Sequence, residues 1–408
     1  MNSFYPNYYF NGELGRELIY LREISLNYSL PLVGLTTSHE WLSYGPFYYW
    51  IMLPIFNFLN GDPYSLFYTA LTTAVLGLML NYFIIKKIIN KKTAVISTIL
   101  LAISPLLIWQ TRLSKLHTFF FILNPILMFF LYKLWNNEKK YLFFAGLIYG
   151  LMFSFHLSQI PILAAILCLL FIKKYNIKSY LILYLGIFIP NIGLVINNIK
   201  LLIWIPYRII KYPIIEAGNT FNSIYEYLGK SIFWNDGLWL VPLLLSVYLF
   251  INYIKLNYKN LKKDFVAFYL ISFIGITFIA NVLHGGAPVH YFLPIFTVLP
   301  LLFAKYLSST KYWPIALLFV FLINFNFYFH FTNPADFISI EKQNNLSKQI
   351  VAESDNKEIN LKRIGPNDNY PEDYSQNYKY LILWNGGKLN NSSNYNVTIN
   401  EYEYFNLK

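Results

Sequence analysis

Ten long apolar runs occupy most of residues 64–330, and they constrain the fold more than any other feature of the chain. Several approach the roughly 20 residues that a helix needs to cross a lipid bilayer. The 408-residue chain is 56% hydrophobic and only 13% charged, which is too little charge to coat a soluble globule of this size. The runs lack the period-two alternation of a barrel strand. The sequence therefore predicts an all-α polytopic membrane protein with spans at 64–85, 93–110, 116–135, 141–157, 159–172, 179–196, 237–254, 264–284, 287–306 and 312–330.

Lysine clusters fill every second gap between these runs. Because cytoplasmic loops are enriched in Lys and Arg, we assign those gaps to the cytoplasm and the alternate gaps to the external side. The net charge of +12 is explained by these anchors, and no extended basic domain indicates a nucleic-acid partner. The lysine-bearing gaps hold Lys86, Lys87, Lys91 and Lys92; Lys139 and Lys140; Lys173, Lys174 and Lys178; Lys255, Lys259, Lys262 and Lys263; and Lys305 and Lys311, whereas the external gaps are Gln110–Lys115, His156–Pro161, 197–236 and His284–Pro288.

The stretch 46–59 precedes the first run and is shorter than a span. It contains Pro46 and Pro54 and ends without a cation, so it is predicted to lie as a helix at the membrane interface. Residues 13–40 are then external, yet no earlier segment would carry them across. The sequence therefore predicts that a first transmembrane helix is missing upstream.

The composition changes after His330. Residues 331–408 are rich in Asn and in charged residues and are predicted to form a small soluble α/β domain outside the membrane. Tyr378–Trp384 is predicted as a strand followed by a turn, and Asn396–Phe405 as a second strand. The predicted domains are thus an external acidic loop with juxtamembrane helices at 1–63, a helical bundle at 64–330 and this appendage. The single cysteine, Cys168, excludes a disulfide framework and is predicted to pack in the interior.

Four of the ten acidic residues before Phe331 lie between Glu13 and Glu40. Carboxylates beside lipid are costly and mark function in membrane proteins. Glu13 and Glu17 share one face of a helix, with Arg16 adjacent. Such a pair could supply a general base with a tuned pKa. It could equally be an ion-paired helix surface in a solvated loop, and spacing alone does not decide between the two.

Three motifs in order carry a family resemblance: Glu13-Leu14-Gly15-Arg16-Glu17, Leu30-Pro31-Leu32-Val33-Gly34 and Gly45-Pro46-Phe47-Tyr48-Tyr49. Further on come Ser104-Pro105 with Arg112, Gly150–His156 with Gln159, and His290-Tyr291-Phe292-Leu293-Pro294. Over roughly residues 4–330 the chain resembles glycosyltransferase family 39 of the GT-C superfamily, which includes protein O-mannosyltransferases and the lipid A aminoarabinose transferase. Both acidic positions of the first motif are Asp in a common bacterial subgroup and Glu here.

The resemblance implies a plasma-membrane enzyme that transfers a sugar from a polyprenyl-phosphate donor to an acceptor, with inversion. The sequence predicts no cofactor and no metal-binding residues. The acceptor is not identified by the sequence. The resemblance implies that Glu13 is the general base and Glu17 its catalytic partner, and that the substrate cavity includes His39, Glu40, Tyr44, Pro46, Tyr48, Tyr49 and His117. The reaction needs cations near the leaving phosphate, and the external-side candidates are Arg16, Arg112, Arg208, Lys211 and His290. Arg112, Arg208, Lys211 and His290 could equally be interfacial cations that extend toward water.

Three other functions remain open at this stage. A lipid-linked sugar transporter would have inverted repeats or paired broken helices, and neither is evident in the sequence. A polymerase or ligase of the O-antigen type would place its key residues in a late external loop, here 197–236 with Glu216 and Glu226. A noncatalytic membrane scaffold is the third possibility.

Overall fold

A computed structural model describes residues 9–35, 43–197, 221–234, 237–283, 289–330, 338–365 and 374–405. It is a helical bundle followed by a small α/β unit, so the predicted fold class is confirmed. The bundle and the segment before it contain α1 (Gly12–Asn27), α2 (Phe47–Phe58), α3 (Ser65–Ile88), α4 (Lys91–Ala102), α5 (Pro105–Arg112), α6 (Phe120–Trp135), α7 (Leu142–Phe155), α8 (Ile160–Ile172), α9 (Ile177–Phe188), α10 (Ile192–Asn197), α11 (Phe221–Lys230), α12 (Leu240–Asn257), α13 (Phe265–Leu283), α14 (Leu293–Leu307), α15 (Trp313–Ile323) and α16 (Phe325–His330).

Four helical segments of the described residues are long and apolar enough to cross a membrane, namely Ser65–Ile88, Leu116–Trp135, Ile177–Asn197 and Leu240–Asn260. A fifth span arises if α4 and α5, which are bent by 55° relative to each other, cross together. The remaining apolar helices have 10–17 residues. Among them is α2, whose 12 residues are fewer than the number a helical span needs.

The bend between α4 and α5 follows from the dipeptide Ser104-Pro105. A proline disfavours the helical conformation of the residue before it, and Ser104 accordingly has an extended ψ of 115°. Pro105 then begins α5, where its missing N–H leaves no helical hydrogen bond unmade. The bend directs α5 and Arg112 away from the axis of α4.

The lysine-rich turns meet at one end of the bundle. The Lys92 Nζ donates to the Thr310 carbonyl at 2.8 Å, which joins the turns at 86–92 and 305–311. Lys173 lies 4.7 Å from the centre of the Trp135 ring, and that ring lies 6.0 Å from Phe265, which follows the fourth cluster. The alternation of the sequence therefore corresponds to a real clustering in space. The side of the membrane that this end faces stays a prediction.

The C-terminal unit is built on a three-stranded parallel sheet. It contains α17 (Ile340–Glu353), β1 (Glu358–Ile364), α18 (Gln376–Trp384), β2 (Lys388–Leu389), β3 (Tyr395–Asn400) and α19 (Glu401–Phe405), with strand order β2-β1-β3. Ile359 of β1 pairs with both neighbours, Leu389 and Tyr395. Parallel neighbours need a crossover connection, usually a helix, and α18 supplies it between β1 and β2.

Two sequence predictions in and near this unit need correction. Tyr378–Trp384 is a helix and not a strand: its buried residues include Tyr378, Leu381 and Ile382, which share a helical face. The strand predicted at Asn396–Phe405 is present only up to Asn400, after which α19 begins.

Cys168 was predicted to pack in the interior, and this prediction is wrong. The residue is exposed on the bundle. It lies on α8 between the buried Ile166 and Leu169, so the helix turns its other face inward. Lipid tails are as apolar as a protein core, so an apolar run does not reveal which of its residues face lipid.

Candidate active site

The helix α1 carries the acidic motif, and its first turn is capped by the residue before it. Asn11 has extended backbone, and its side-chain oxygen accepts from the Leu14 N–H at 3.2 Å. Asn is favoured at this position because it satisfies an otherwise unpaired helical N–H. Leu14, Leu18 and Leu21 are buried at helical spacing. Glu13 lies in the first turn, where the helix dipole favours a negative charge.

Glu17 is buried and is held by a tyrosine of α2. Its side chain is 8% exposed, and the Tyr49 hydroxyl donates to Glu17 Oε2 at 2.6 Å. Burial raises the pKa of Glu17 to about 7, and the Tyr49 hydrogen bond and the Arg16 charge oppose that rise. A carboxylate with these surroundings is not a solvated helix surface, so that alternative is wrong for Glu17.

Glu13 has a different partner and more access to solvent. It forms an ion pair with Lys115, and the two side chains are 29% and 32% exposed. Lys115 follows α5 in the turn that leads to α6. The pair therefore joins the acidic helix to the end of the bundle opposite the lysine-rich turns.

Two histidines and two tyrosines lie beside the carboxylates. The ring centres of His117 and His156 are 4.8 Å apart, those of His156 and Tyr291 5.0 Å, and those of Tyr44 and His156 5.6 Å. The pKa of Tyr44 is raised by burial, next by Tyr291 and then by Glu17, which links the aromatic cluster to α1. Four separate parts of the chain thus meet here.

The His156 ring is fixed by its own turn. The Ser158 N–H donates to His156 Nδ1 at 3.2 Å, and the Ser158 hydroxyl lies 2.8 Å from the same nitrogen. Since Nδ1 accepts a backbone N–H, a neutral ring carries its proton on Nε2. Gln159 Nε2 donates to the Ser158 hydroxyl oxygen at 2.9 Å, which completes a buried polar turn.

The segment before α2 is fastened to the neighbouring chain by backbone hydrogen bonds. The Gly34 N–H donates to the Tyr44 carbonyl at 2.8 Å, and the Tyr44 N–H donates to Leu35 at 3.0 Å. The Gly45 N–H donates to the Ser154 carbonyl of α7 at 2.7 Å. A Cβ at Gly45 would lie 1.8 Å from Ser154 Oγ. Glycine is therefore required at this position for close approach, and Tyr44 is held over His156.

Comparison with known proteins gives a matching family model and similar solved structures. Residues 43–196 match the family model described as dolichyl-phosphate-mannose-protein mannosyltransferase. The structure is similar to that of ArnT from Cupriavidus metallidurans bound to undecaprenyl phosphate, with a TM-score of 0.57, 10% identity, and coverage of 93% of this chain and 72% of that chain. It is also similar to the apo form, with a TM-score of 0.51, 11% identity, and coverage of 83% and 64%. No curated protein matches the chain.

The chain therefore shares its overall fold with this ArnT structure. It spans 64% of the length of the apo structure. The resemblance expected from the acidic, Leu-Pro-Leu and Gly-Pro motifs is thereby confirmed for the fold.

The helical bundle brings together part of the predicted site. Glu13, Glu17, Tyr44, Tyr49 and His117 are all in or beside the cluster.

Other predicted residues surround the cluster or lie beyond the described residues. Pro46 precedes α2, Tyr48 packs on Phe119 and Phe155, and Arg16 follows Gly15 on α1. Arg112 ends α5, three residues before Lys115. The backbone of His290 lies in a short 3-10 helix with Tyr291. The predictions for His39, Glu40, Arg208 and Lys211 fall on residues outside the described ranges.

Sequence reasoning did not assign a site role to Lys115, His156 or Tyr291. Lys115 is in the same predicted external gap as Arg112, so the alternation of the lysine clusters already placed the two residues together. His156 is buried and hydrogen-bonded. What the sequence did not reveal is its position beside His117. Within the described ranges, no three His, Cys, Asp or Glu side chains are grouped closely enough to hold a metal ion.

Proposed function

We propose that this chain is a membrane glycosyltransferase that moves a sugar from a polyprenyl-phosphate donor to an acceptor at the external face, by one inverting displacement. The observation that carries the proposal is the pairing of the accessible Glu13 with Lys115, beside the buried Glu17. In such a displacement the acceptor loses a proton and the leaving phosphate gains negative charge. A carboxylate can take the proton, and a neighbouring cation can stabilise the phosphate.

Glu13 is proposed as the general base. A base must come within about 3 Å of the proton it removes, directly or through one water, and the side chain of Glu13 is partly open to solvent. It takes the proton from an acceptor hydroxyl or amine, and the acceptor atom bonds to the anomeric carbon. The bond from that carbon to the phosphate oxygen breaks, and its electron pair leaves with the polyprenyl phosphate.

Lys115 is proposed to stabilise the leaving phosphate together with Arg16 and Arg112. Fixed cations at the place where negative charge develops contribute strongly to catalysis. An Arg can contact a phosphate through two parallel N–H donors, whereas a Lys acts as a point charge. The ion pair with Glu13 places the Lys115 ammonium beside the proposed base. When a donor binds, the ammonium can exchange this ion pair for one with the donor phosphate.

Glu17 is proposed to orient the site and not to remove the proton. Its buried carboxylate is engaged by Tyr49, so it is poorly placed to meet an acceptor. Its interaction with Arg16 gives it a second role, because a fixed carboxylate holds a neighbouring cation in one direction.

The class of donor is supported by the fold. One of the structures with this fold is that of ArnT bound to undecaprenyl phosphate, a polyprenyl phosphate. The sugar and the acceptor are left unassigned, because nothing in the described cluster selects one sugar over another.

The test is transfer from radiolabelled polyprenyl-phosphate sugars in membranes that contain the full chain. Glu13→Gln keeps the size and the hydrogen bonds of the side chain but removes the base. We expect the chemical step to slow by roughly 10²–10⁴-fold, the usual worth of general acid–base catalysis, with donor binding much less affected. Glu226→Gln is the matched control, since Glu226 is also paired with a lysine, Lys230, at 2.5 Å.

The outcomes separate the proposal from its rivals. Full turnover in Glu13→Gln with loss of turnover in Glu17→Gln would reverse the roles within the pair. Loss of turnover in Glu226→Gln alone would favour a polymerase or ligase that uses the late external loop. If the wild-type chain transfers no sugar from any donor, the proposed function is wrong.

A further inference from the structure

We infer that the C-terminal α/β unit is a positioning element for the acidic helix: α18 and α17 hold α1 so that Glu13 and Glu17 face their partners. This inference rests on the proposed function. It concerns residues 338–365 and 374–405, to which the sequence assigned no role beyond a soluble appendage.

The first observation is a backbone-to-backbone seat between α1 and α18. A Cβ at Gly15 would lie 2.2 Å from the Asn377 nitrogen and 2.4 Å from its Cα. A Cβ at Gly12 would lie 2.6 Å from the Tyr374 carbonyl oxygen. Contacts with backbone atoms cannot be relieved by turning a flexible side chain. The two glycines, three residues apart on one face of α1, therefore allow an approach that no other residue would allow.

The second observation is a chain of buried amides that spans the same contact. Gln343 of α17 is 2% exposed, and its Nε2 donates to the Phe10 carbonyl at 2.9 Å. The side-chain oxygen of Gln343 accepts from Asn377 Nδ2 at 2.8 Å. Leaving one member of such a buried chain unpaired is unfavourable, because the polar group has lost its water without gaining a partner. The residue that leads into α1 is thus bound to Gln343 of α17, and through Gln343 it is linked to Asn377 of α18.

The cap of α1 takes part in the same contact. Asn11, whose oxygen caps the helix, donates through Nδ2 to the Tyr374 hydroxyl at 3.1 Å. Burial raises the pKa of Tyr374, and the Glu13 carboxylate is the next cause of that rise. Tyr374 therefore lies near the proposed base as well as at the start of its helix.

Because of the geometry of α1, its contact with α18 also determines the directions of Glu13 and Glu17. At about 100° per residue, Gly12 and Gly15 lie roughly 150° around α1 from Glu13 and Glu17. One face of α1 is therefore seated on α18, and the other directs Glu17 to Tyr49 and Glu13 to Lys115. A displacement of α18 would move α1 against those partners directly.

The C-terminal unit also contacts α2, the helix whose Tyr49 donates the buried hydrogen bond to Glu17. The Tyr380 hydroxyl donates to the Gly61 carbonyl, and the Tyr380 ring lies 6.4 Å from Phe56 near the end of α2. Helix α18 thus touches both the segment that bears Glu17 and the segment that bears Tyr49. The position of Glu17 relative to Tyr49 therefore depends on α18 as well as on α1 and α2.

The experiment measures kcat and donor KM of the full chain in membranes for Gly15→Ala and Gln343→Ala. A misplacement of about 1 Å remote from the chemistry can cost roughly 10²-fold, so we expect kcat to fall by roughly that factor while donor KM changes little. Gly275→Ala is the matched control, because its Cβ would meet only Phe250 Cζ at an ordinary 3.7 Å.

Hydrogen exchange of the amides of Gly12–Asn27 supplies a readout that is independent of activity. We expect faster exchange in Gln343→Ala, which keeps the glycine seat and so remains informative if Gly15→Ala fails to accumulate. Faster exchange with a wild-type kcat would overturn the positioning role, and so would unchanged exchange and kcat. An inactive wild type would instead refute the proposed function, from which this inference takes its meaning.

Discussion

Glu13 and Glu17 are four residues apart on one helix, yet the fold gives them different chemistry. Glu17 is buried against Tyr49, whereas Glu13 is paired with Lys115 near the surface. Enzymes repeatedly place two carboxylates in different surroundings, one buried and one accessible, and so give them different roles in catalysis. The division follows from which face of α1 each side chain occupies relative to α2 and to the turn after α5.

The raised pKa of Glu17 predicts a specific pH dependence of stability. Because burial raises that pKa from its ordinary value of 4.5 to about 7, the folded protein holds the proton more tightly than the unfolded chain does. The resulting stabilisation is complete below the unfolded pKa and is lost as the pH rises through about 7. Glu17→Gln removes this dependence, since an amide does not ionise.

Thermal unfolding in detergent checks this sign. Between about pH 5 and about pH 7, the wild type should lose stability relative to Glu17→Gln, and the loss should level off above the folded pKa of about 7. Parallel curves for the two proteins would show that Glu17 does not titrate in this range. A wild type that gains stability with rising pH would show that its pKa is lowered instead.

At the scale of helices, the tight crossing of the α2 segment over α7 depends on Gly45. In Gly45→Ala the new methyl group would overlap Ser154. We expect a loss of roughly 1–3 kcal/mol, which is typical of overpacking, together with reduced transfer, because Tyr44 is displaced from His156. Unfolding and activity of the purified full chain measure the two effects.

A second-site change tests the cause. Ser154→Gly removes the two side-chain atoms nearest to the added methyl group but leaves the Ser154 Cα at 2.9 Å, so it should restore part of the loss in the Gly45→Ala background. If it restores nothing, the clash is not the cause. Gly275→Ala again serves as the control, since its surroundings leave room for a methyl group.

The helices of the bundle were predictable because lipid imposes a simple rule: backbone polar groups must pair within the segment. Long apolar runs such as 64–85 and 116–135 therefore matched observed helices closely. The α/β unit has no such rule. Tyr378–Trp384 contains aromatic and branched residues that favour strands, and only its place as the crossover of a parallel sheet makes it helical.

The same contrast holds for the site. The acidic motif could be found in the sequence because carboxylates are rare in an apolar chain. The contacts of Glu13 with Lys115 and of Gly15 with Asn377 join positions that are distant along the chain, and no local pattern announces them. The sequence does not distinguish Gly12 and Gly15 from other helix residues. Their importance comes from the close contact of α1 with Tyr374 and Asn377.

At the scale of the whole molecule, the two ends of the bundle have opposite character. One end gathers lysines, as the contact of Lys92 with Thr310 and that of Lys173 with Trp135 show. The other end gathers the carboxylates, histidines and tyrosines of the candidate site. Because α1 bears that site and also seats the C-terminal unit, the unit must lie on the same side of the membrane as the site.

This arrangement makes the last prediction, which concerns sidedness. Lysine-rich turns stay in the cytoplasm, so cysteines placed at the exposed Lys91 and Lys262 should react with a membrane-impermeant maleimide only after the cells are permeabilised. A cysteine at the exposed Asn391 in the C-terminal unit should react in intact cells. The native Cys168 is exposed, so every variant needs Cys168→Ser, and that protein alone is the blank. Labelling of Lys91→Cys but not of Asn391→Cys in intact cells would invert the topology. The candidate site would then face the cytoplasm, and transfer at the external face would be ruled out.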